Sequence, residues 1–327
     1  MHSISRRGFV ISAATAGAVF GLNRPLEFVA PAFAQAPNAG QVDKGFVKFK
    51  VGDIQVTQIY DGVWEKPHDP GFIKNASVDD TKAALKAAGQ TEEFVPITFT
   101  VTVVEIGGKT IMFDSGTGGG QAGGPKAGLL AKENLAKAGI DPAKISTVMV
   151  THFHGDHIWG LMARETNAPV YPNAEIIVPE AEYKFWTDPA TLEKLPPAAQ
   201  GSAKRIQAVF PTWKNIKQVG YDQDVGSGVR SVNTNGHTPG HTSYLLGSSG
   251  SQLLVAGDVT NIPALNLKNP GWHLFDANAA LAEENRRKTF ERAIADKIVV
   301  TGYHFGMPGA GTIVKDGNGY AYVPVAG

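Results

Sequence analysis

His152-Phe153-His154-Gly155-Asp156-His157 places four metal-binding side chains within six residues. In extended backbone, residues two apart project to the same side, so His152 and His154 can grip one cation. The chain must then turn at Gly155, whose missing side chain removes an obstruction, and Asp156 and His157 face a second cation. The residues just before this stretch, 145–150, form a short run rich in β-branched side chains. The arrangement recurs downstream: residues 229–232 precede Gly236-His237, 253–256 precede Gly257-Asp258, and 298–300 precede His304. Singly, each downstream residue is more commonly a surface or capping residue than a ligand; together they support one another. Ligands at the ends of several strands are how a sheet flanked by helices builds a site along one edge, so the expected fold class is α/β.

The remainder of the chain fits this frame. Residues 45–64 alternate apolar and polar around Gly52-Asp53, as a hairpin does, and residues 97–106 and 109–113 form a second pair turning at Gly107-Gly108. Helical periodicity marks 79–88, 126–138, 179–186 and 279–295. The glycine-rich segment 116–124 lacks the Gly-Lys-Ser/Thr ending of a phosphate cradle and reads as a flexible wall or lid. No repeat or linker divides the chain after its first 34 residues, so residues 35–327 are expected to be a single domain.

Those first 34 residues read as an export signal: a twin-arginine pattern at Ser5-Arg6-Arg7-Gly8-Phe9-Val10, a modest apolar run, and Ala32-Phe33-Ala34 as cleavage site. The expected location is periplasmic or secreted, with no stable membrane anchor. Cysteine is absent, which excludes both disulfides and thiolate ligands, so every ligand is nitrogen or oxygen. Such a donor set suits Zn²⁺ best and also accepts Mn²⁺, Co²⁺ or Fe²⁺. Lys plus Arg and Asp plus Glu both total 30, so no net field gathers nucleic acid or a polyanion. The expected partner is a small, weakly charged substrate; association as a homodimer is left open.

His-x-His-x-Asp-His, then Gly236-His237-Thr238-Pro239-Gly240-His241, then Gly257-Asp258, then His304, together with the turn Phe113-Asp114-Ser115-Gly116, is similar to the metallo-β-lactamase superfamily. That resemblance implies an αββα sandwich, two mixed sheets flanked by helices. It also implies that His152, His154 and His237 hold one metal, Asp156, His157 and His304 a second, and that Asp258 bridges them. By the same resemblance His241 buttresses the ligands without ligating. Two ions sharing a bridging hydroxide would then supply a nucleophile near neutral pH, with Asp156 or Asp258 passing a proton to the leaving group.

Residue choices narrow the branch. Zinc β-lactamases use a cysteine ligand or lack the bridging aspartate, flavin-dependent di-iron members place a glutamate at the position of His154, and RNA-processing members need a basic surface. The chain most resembles the methyl parathion hydrolase-like and lactonase branch, including its ending at His304-Phe305-Gly306-Met307-Pro308-Gly309. Asn261 stands where lactonases of that branch often carry tyrosine, and is expected beside Asp258. Trp159, Tyr183, Trp186, Trp213, Trp272 and Phe305 are candidates for an apolar pocket, with Trp186 and Phe305 preferred, while His68 and His273 belong to loops without a metal role. The expected activity is hydrolysis of small neutral esters or lactones. Alternatives are hydrolysis of organophosphate triesters and a non-catalytic exported metal-binding module, which a full ligand set argues against.

Overall fold

In strand β4 (Lys109–Phe113), Ile111 and Phe113 face a core shared with a second sheet, whereas Met112 points outward beneath helices. β10 (Thr242–Ser248) repeats the pattern from the other side: Tyr244 and Leu246 point in, Leu245 out. This period of two is what a strand buried on both faces imposes. The computed structural model describes residues 39–119, 122–248 and 250–325, so the export signal expected over residues 1–34 lies outside the described residues.

Two seven-stranded sheets result, in the orders β1 to β7 and β14 to β8. The first begins with an antiparallel meander, β1 (Phe46–Val51), β2 (Ile54–Lys66), β3 (Val95–Ile106) and β4. It continues in parallel through β5 (Ile145–Met149), β6 (Glu175–Pro179) and β7 (Ile216–Val219). The second holds β8 (Asp224–Gly226), β9 (Val229–Asn233), β10, β11 (Ser251–Val255), β12 (Val299–Thr301), β13 (Ala310–Asp316) and β14 (Gly319–Pro324); only β11 and β12 run parallel. Val56, Val104, Ile177, Leu253 and Val255 join the residues filling the space between the sheets. Helices Val78–Ala87, Glu180–Thr187 and Pro197–Val209 pack around the first sheet, and Ala279–Ala295 covers the second through Phe290 and Ala293. The layers are therefore those of the αββα sandwich.

Strands β6, β7, β8, β10, β13 and β14 were not anticipated from the sequence, and two helical segments also differ from it. The helix expected over 126–138 begins only at Leu130, as a wide π turn, Leu130–Asn134, that tightens at Leu135–Lys137. Buried Asp61 sets that start, accepting the Leu130 N–H at 2.7 Å, while the Asp61 carbonyl takes the Gly128 N–H. Helix Pro197–Val209 was not expected; its apolar positions Ala203, Ile206 and Val209 are too few and small to register as a stripe. No helix among the described residues is long and apolar enough to cross a membrane.

Candidate metal centre

The parallel pairs β4/β5 and β11/β12 end at one edge of the sandwich, and the turns beyond β5, β9, β11 and β12 converge there. His152, His154, His237 and Asp258 form one cluster able to hold a metal ion, and Asp156, His157 and His304 a second. His154 Nδ1 lies 3.0 Å from His152 Nε2 and 2.9 Å from His237 Nε2. Asp258 spans both clusters: Oδ2 is 3.4 Å from His237 Nε2 and 3.1 Å from His304 Nε2, and Oδ1 is 3.3 Å from His157 Nε2. Asp156 Oδ2 stands 3.5 Å from His157 Nε2 and 3.6 Å from His304 Nε2.

Outer hydrogen bonds aim these rings. His304 Nδ1 donates to the Thr98 carbonyl at 2.7 Å, His157 Nδ1 to Asp114 at 2.8 Å, and His237 Nδ1 to Asp276 at 3.2 Å. The Thr151 hydroxyl donates to Asp114 and so accepts from His152 Nδ1 at 3.0 Å. Each ring thereby keeps an Nε2 lone pair directed inward, the tautomer a metal requires. One proton on His154 Nδ1 cannot serve both facing nitrogens, and buried His157 Nε2 and Asp258 Oδ1 have no hydrogen-bond partner. Convergent lone pairs and orphaned buried atoms carry a large desolvation cost that divalent cations relieve, so the donor set fits a pair of metal ions.

The two clusters differ electrostatically. Burial, reinforced by neighbouring imidazoles, holds His152 and His154 well below the ordinary histidine value. Burial also opposes charge on His157 and His304, but Asp258 and the adjoining carboxylates outweigh it and raise both. Asp258 is conversely held well below its usual range: burial works against the carboxylate, and His304 and His157 prevail.

His241 stands one layer out. Its Nδ1 donates to the Thr234 carbonyl at 3.1 Å, leaving Nε2 to accept the Asp258 backbone N–H at 2.9 Å, so its lone pair is already used. Burial among imidazoles pushes it down to about 3, which keeps it neutral for that purpose. Asn261 donates to Asp258 Oδ2 at 2.9 Å and is itself oriented by Asn266. Gly155 begins a one-turn helix, Gly155–Ile158, and a Cβ there would fall 2.2 Å from the Trp159 indole nitrogen. The need for glycine is thus a close approach more than an unusual turn.

A cleft of about 420 Å³ opens over the clusters, walled by Trp64, Ile97, Phe99, Ala122, Gly123, Ala198 and Phe275. Trp186 and Phe305, expected in the pocket, are not part of it. The Trp186 indole is buried and donates to Glu182, and Phe305 packs on Tyr322 on the outer side of the second sheet. Helical and strand periodicity cannot tell an aromatic facing a cleft from one facing a core, and both went to the core. The glycine-rich segment does supply wall, through Ala122 and Gly123. Sequence reading assigned no role to Asp114, Asp276, Glu182 or Tyr303, yet these hold ligands or ligand loops. For Asp114 a signal existed in its place at the end of β4 beside the ligand-bearing β5; the others had none.

Metallo-beta-lactamase superfamily sequences match residues 100–303 of this chain. An N-acyl homoserine lactonase from Bacillus sp is 28% identical over 155 residues, 47% of this chain and 54% of that protein. One from Bacillus cereus is 28% identical over 121 residues, 37% of this chain and 40% of that protein. The chain thus spans about half the length of the curated relatives it matches. Among solved structures, hydrolase AbOPH of the beta lactamase superfamily superposes with a TM-score of 0.78 at 27% identity, over 86% of this chain and 98% of that one. AidC, a dizinc quorum-quenching lactonase, shares the fold with a TM-score of 0.75 at 24% identity, over 86% of this chain and 98% of that one. Sequence match, sheet order and the converging histidines agree: this chain belongs to the metallo-beta-lactamase superfamily and is a hydrolase of it.

Proposed function

We propose that the protein is a di-metal hydrolase of small, uncharged lactones or carboxylic esters, with Zn²⁺ as its metal. The observation that carries this reading is the cleft over Asp156, Asp258 and His304. Its walls are apolar, and among the described residues lining it none is a lysine or arginine. An anionic substrate would need such a cation in the pocket. The volume of about 420 Å³ suits a ligand with an apolar tail and one polar reacting group. The lactonase relatives support the same class.

When bound, the two cations lower the pKa of water and polarise the substrate's carbonyl oxygen. The protein's own part is placement. Asp258 presents both oxygens to the two clusters, fixed by Asn261 on its side chain and His241 on its backbone. Asp156 borders the cleft with its side chain partly exposed, and is better placed than buried Asp258 to hand a proton to the leaving oxygen. Tyr303 stacks on His157 with ring centroids 3.8 Å apart and donates its hydroxyl to the Asp156 carbonyl, so it steadies both residues rather than acting as an acid. Trp64, Phe99 and Phe275 hold the substrate's apolar part by excluding water.

The test is a side-by-side assay of lactones, aryl esters, phosphotriesters and β-lactams, with and without chelator. Chelation should abolish turnover, and kcat/KM should be highest for lactones or carboxylic esters. Phosphotriesters faster than all of these by about a hundredfold, roughly 2.7 kcal/mol of transition-state preference, would replace the reading with a phosphotriesterase. Turnover of no substrate by metal-loaded protein would favour a non-catalytic module. The expected export is tested separately: Arg6→Lys with Arg7→Lys should retain the protein in the cytoplasm, and exported protein should begin near Gln35.

A further inference from the structure

Glu182 is wholly buried, on the helix Glu180–Thr187, and touches neither the cleft nor any candidate ligand side chain. A buried carboxylate is costly unless fully hydrogen-bonded, and this one is. Oε1 accepts the Phe153 backbone N–H at 3.0 Å and the Trp186 indole N–H at 2.7 Å. Oε2 accepts the Thr238 hydroxyl and the Gly240 backbone N–H, both at 2.8 Å.

The donors come from two places in the chain. Phe153 separates His152 from His154 in the turn after β5 of the first sheet. Thr238 and Gly240 follow His237 in the turn after β9 of the second. One carboxylate therefore ties together the two loops that supply all three histidines of the first cluster. Gly240 is part of the same fit, since a Cβ there would lie 2.1 Å from the Glu182 backbone nitrogen. Thr238 and Gly240 thus find their physical reason in this carboxylate.

We propose that Glu182 is a positioning residue for the first metal: by bonding both loops it fixes the separation of His237 from His152 and His154. This rests on the reading that these histidines hold a metal. Glutamine at 182 keeps the shape but turns one oxygen into a donor, which then faces a backbone or indole N–H that can only donate. The second cluster has no bond to Glu182.

The test uses full-length chain titrated with Co²⁺ and followed by its visible absorption. A His304→Ala background isolates the first cluster and a His237→Ala background the second. Glu182→Gln should weaken Co²⁺ binding about tenfold to a hundredfold and alter the spectrum in the first background. It should leave both unchanged in the second. Thr238→Val, which removes one hydroxyl from the loop link, should weaken the first cluster in the same direction and still reports if Glu182→Gln fails to fold. Trp186→Phe removes one donor from the same carboxylate but no loop link, and should leave Co²⁺ affinity as in the parent. Unchanged first-cluster affinity in Thr238→Val or Glu182→Gln, or an equal loss in Trp186→Phe, would reduce Glu182 to a core residue. Wild-type protein that takes up no Co²⁺ would instead overturn the metal reading itself, and this inference with it.

Discussion

The two clusters use similar side chains but are built and charged differently. The first joins His152 and His154 to His237 from the opposite sheet, and burial lowers the proton affinity of His152 and His154. The second draws Asp156 and His157 from one turn of helix and His304 from the turn after β12, and neighbouring carboxylates raise the proton affinity of both imidazoles. Protons therefore compete with a cation more strongly at His157 and His304 than at His152 and His154.

Removing what the clusters share should have the largest effect. Asp258→Ala leaves both without their common carboxylate, so metal analysis should show fewer than two ions and turnover should fall to background. Two retained ions would mean the clusters are independent. Next come the ligands themselves: His237→Ala should retain only the second metal, while His241→Ala should keep both with affinity weakened about tenfold to a hundredfold. Metal analysis showing the reverse pattern would exchange the roles of the two histidines.

The charge difference predicts a pH effect. Because His157 and His304 are raised, their protons compete with the metal, and second-cluster affinity should fall as pH drops below those raised values. Calorimetry in buffers of different ionisation enthalpy should record proton release on filling the second cluster near neutral pH, and little from His152 and His154. Equal release from both would remove the distinction. By the same linkage, these two histidines stabilise the metal-free fold below their ordinary value, a contribution lost as pH rises through their raised values.

The smallest effect belongs to the cleft wall. Trp64→Ala should raise KM roughly tenfold, about 1.4 kcal/mol of uniform apolar binding, and leave kcat nearly unchanged. An equal fall in kcat would show that the wall also orients the reacting group.

The sequence by itself determined the strands that lead into the ligand turns at 152–157, 237, 258 and 304, the helices at 78–87, 180–187 and 279–295 to within a residue or so, and a donor set without sulfur. Those features are written in local periodicity, in adjacent residue types and in the absence of cysteine. Tertiary structure decided the rest. His237, Asp258 and His304 meet residues 152–157 only because two parallel strand pairs end at the same edge. Trp186 and Phe305 were lost to the core, while Trp64 and Phe99 reached the cleft, because each wall residue faces whichever layer packs against its strand or helix. Glu182 and Asp276 were invisible for a related reason. A charged residue on a helix or loop looks like a surface position until the donors that enclose it, up to 58 residues away for Glu182, arrive through folding.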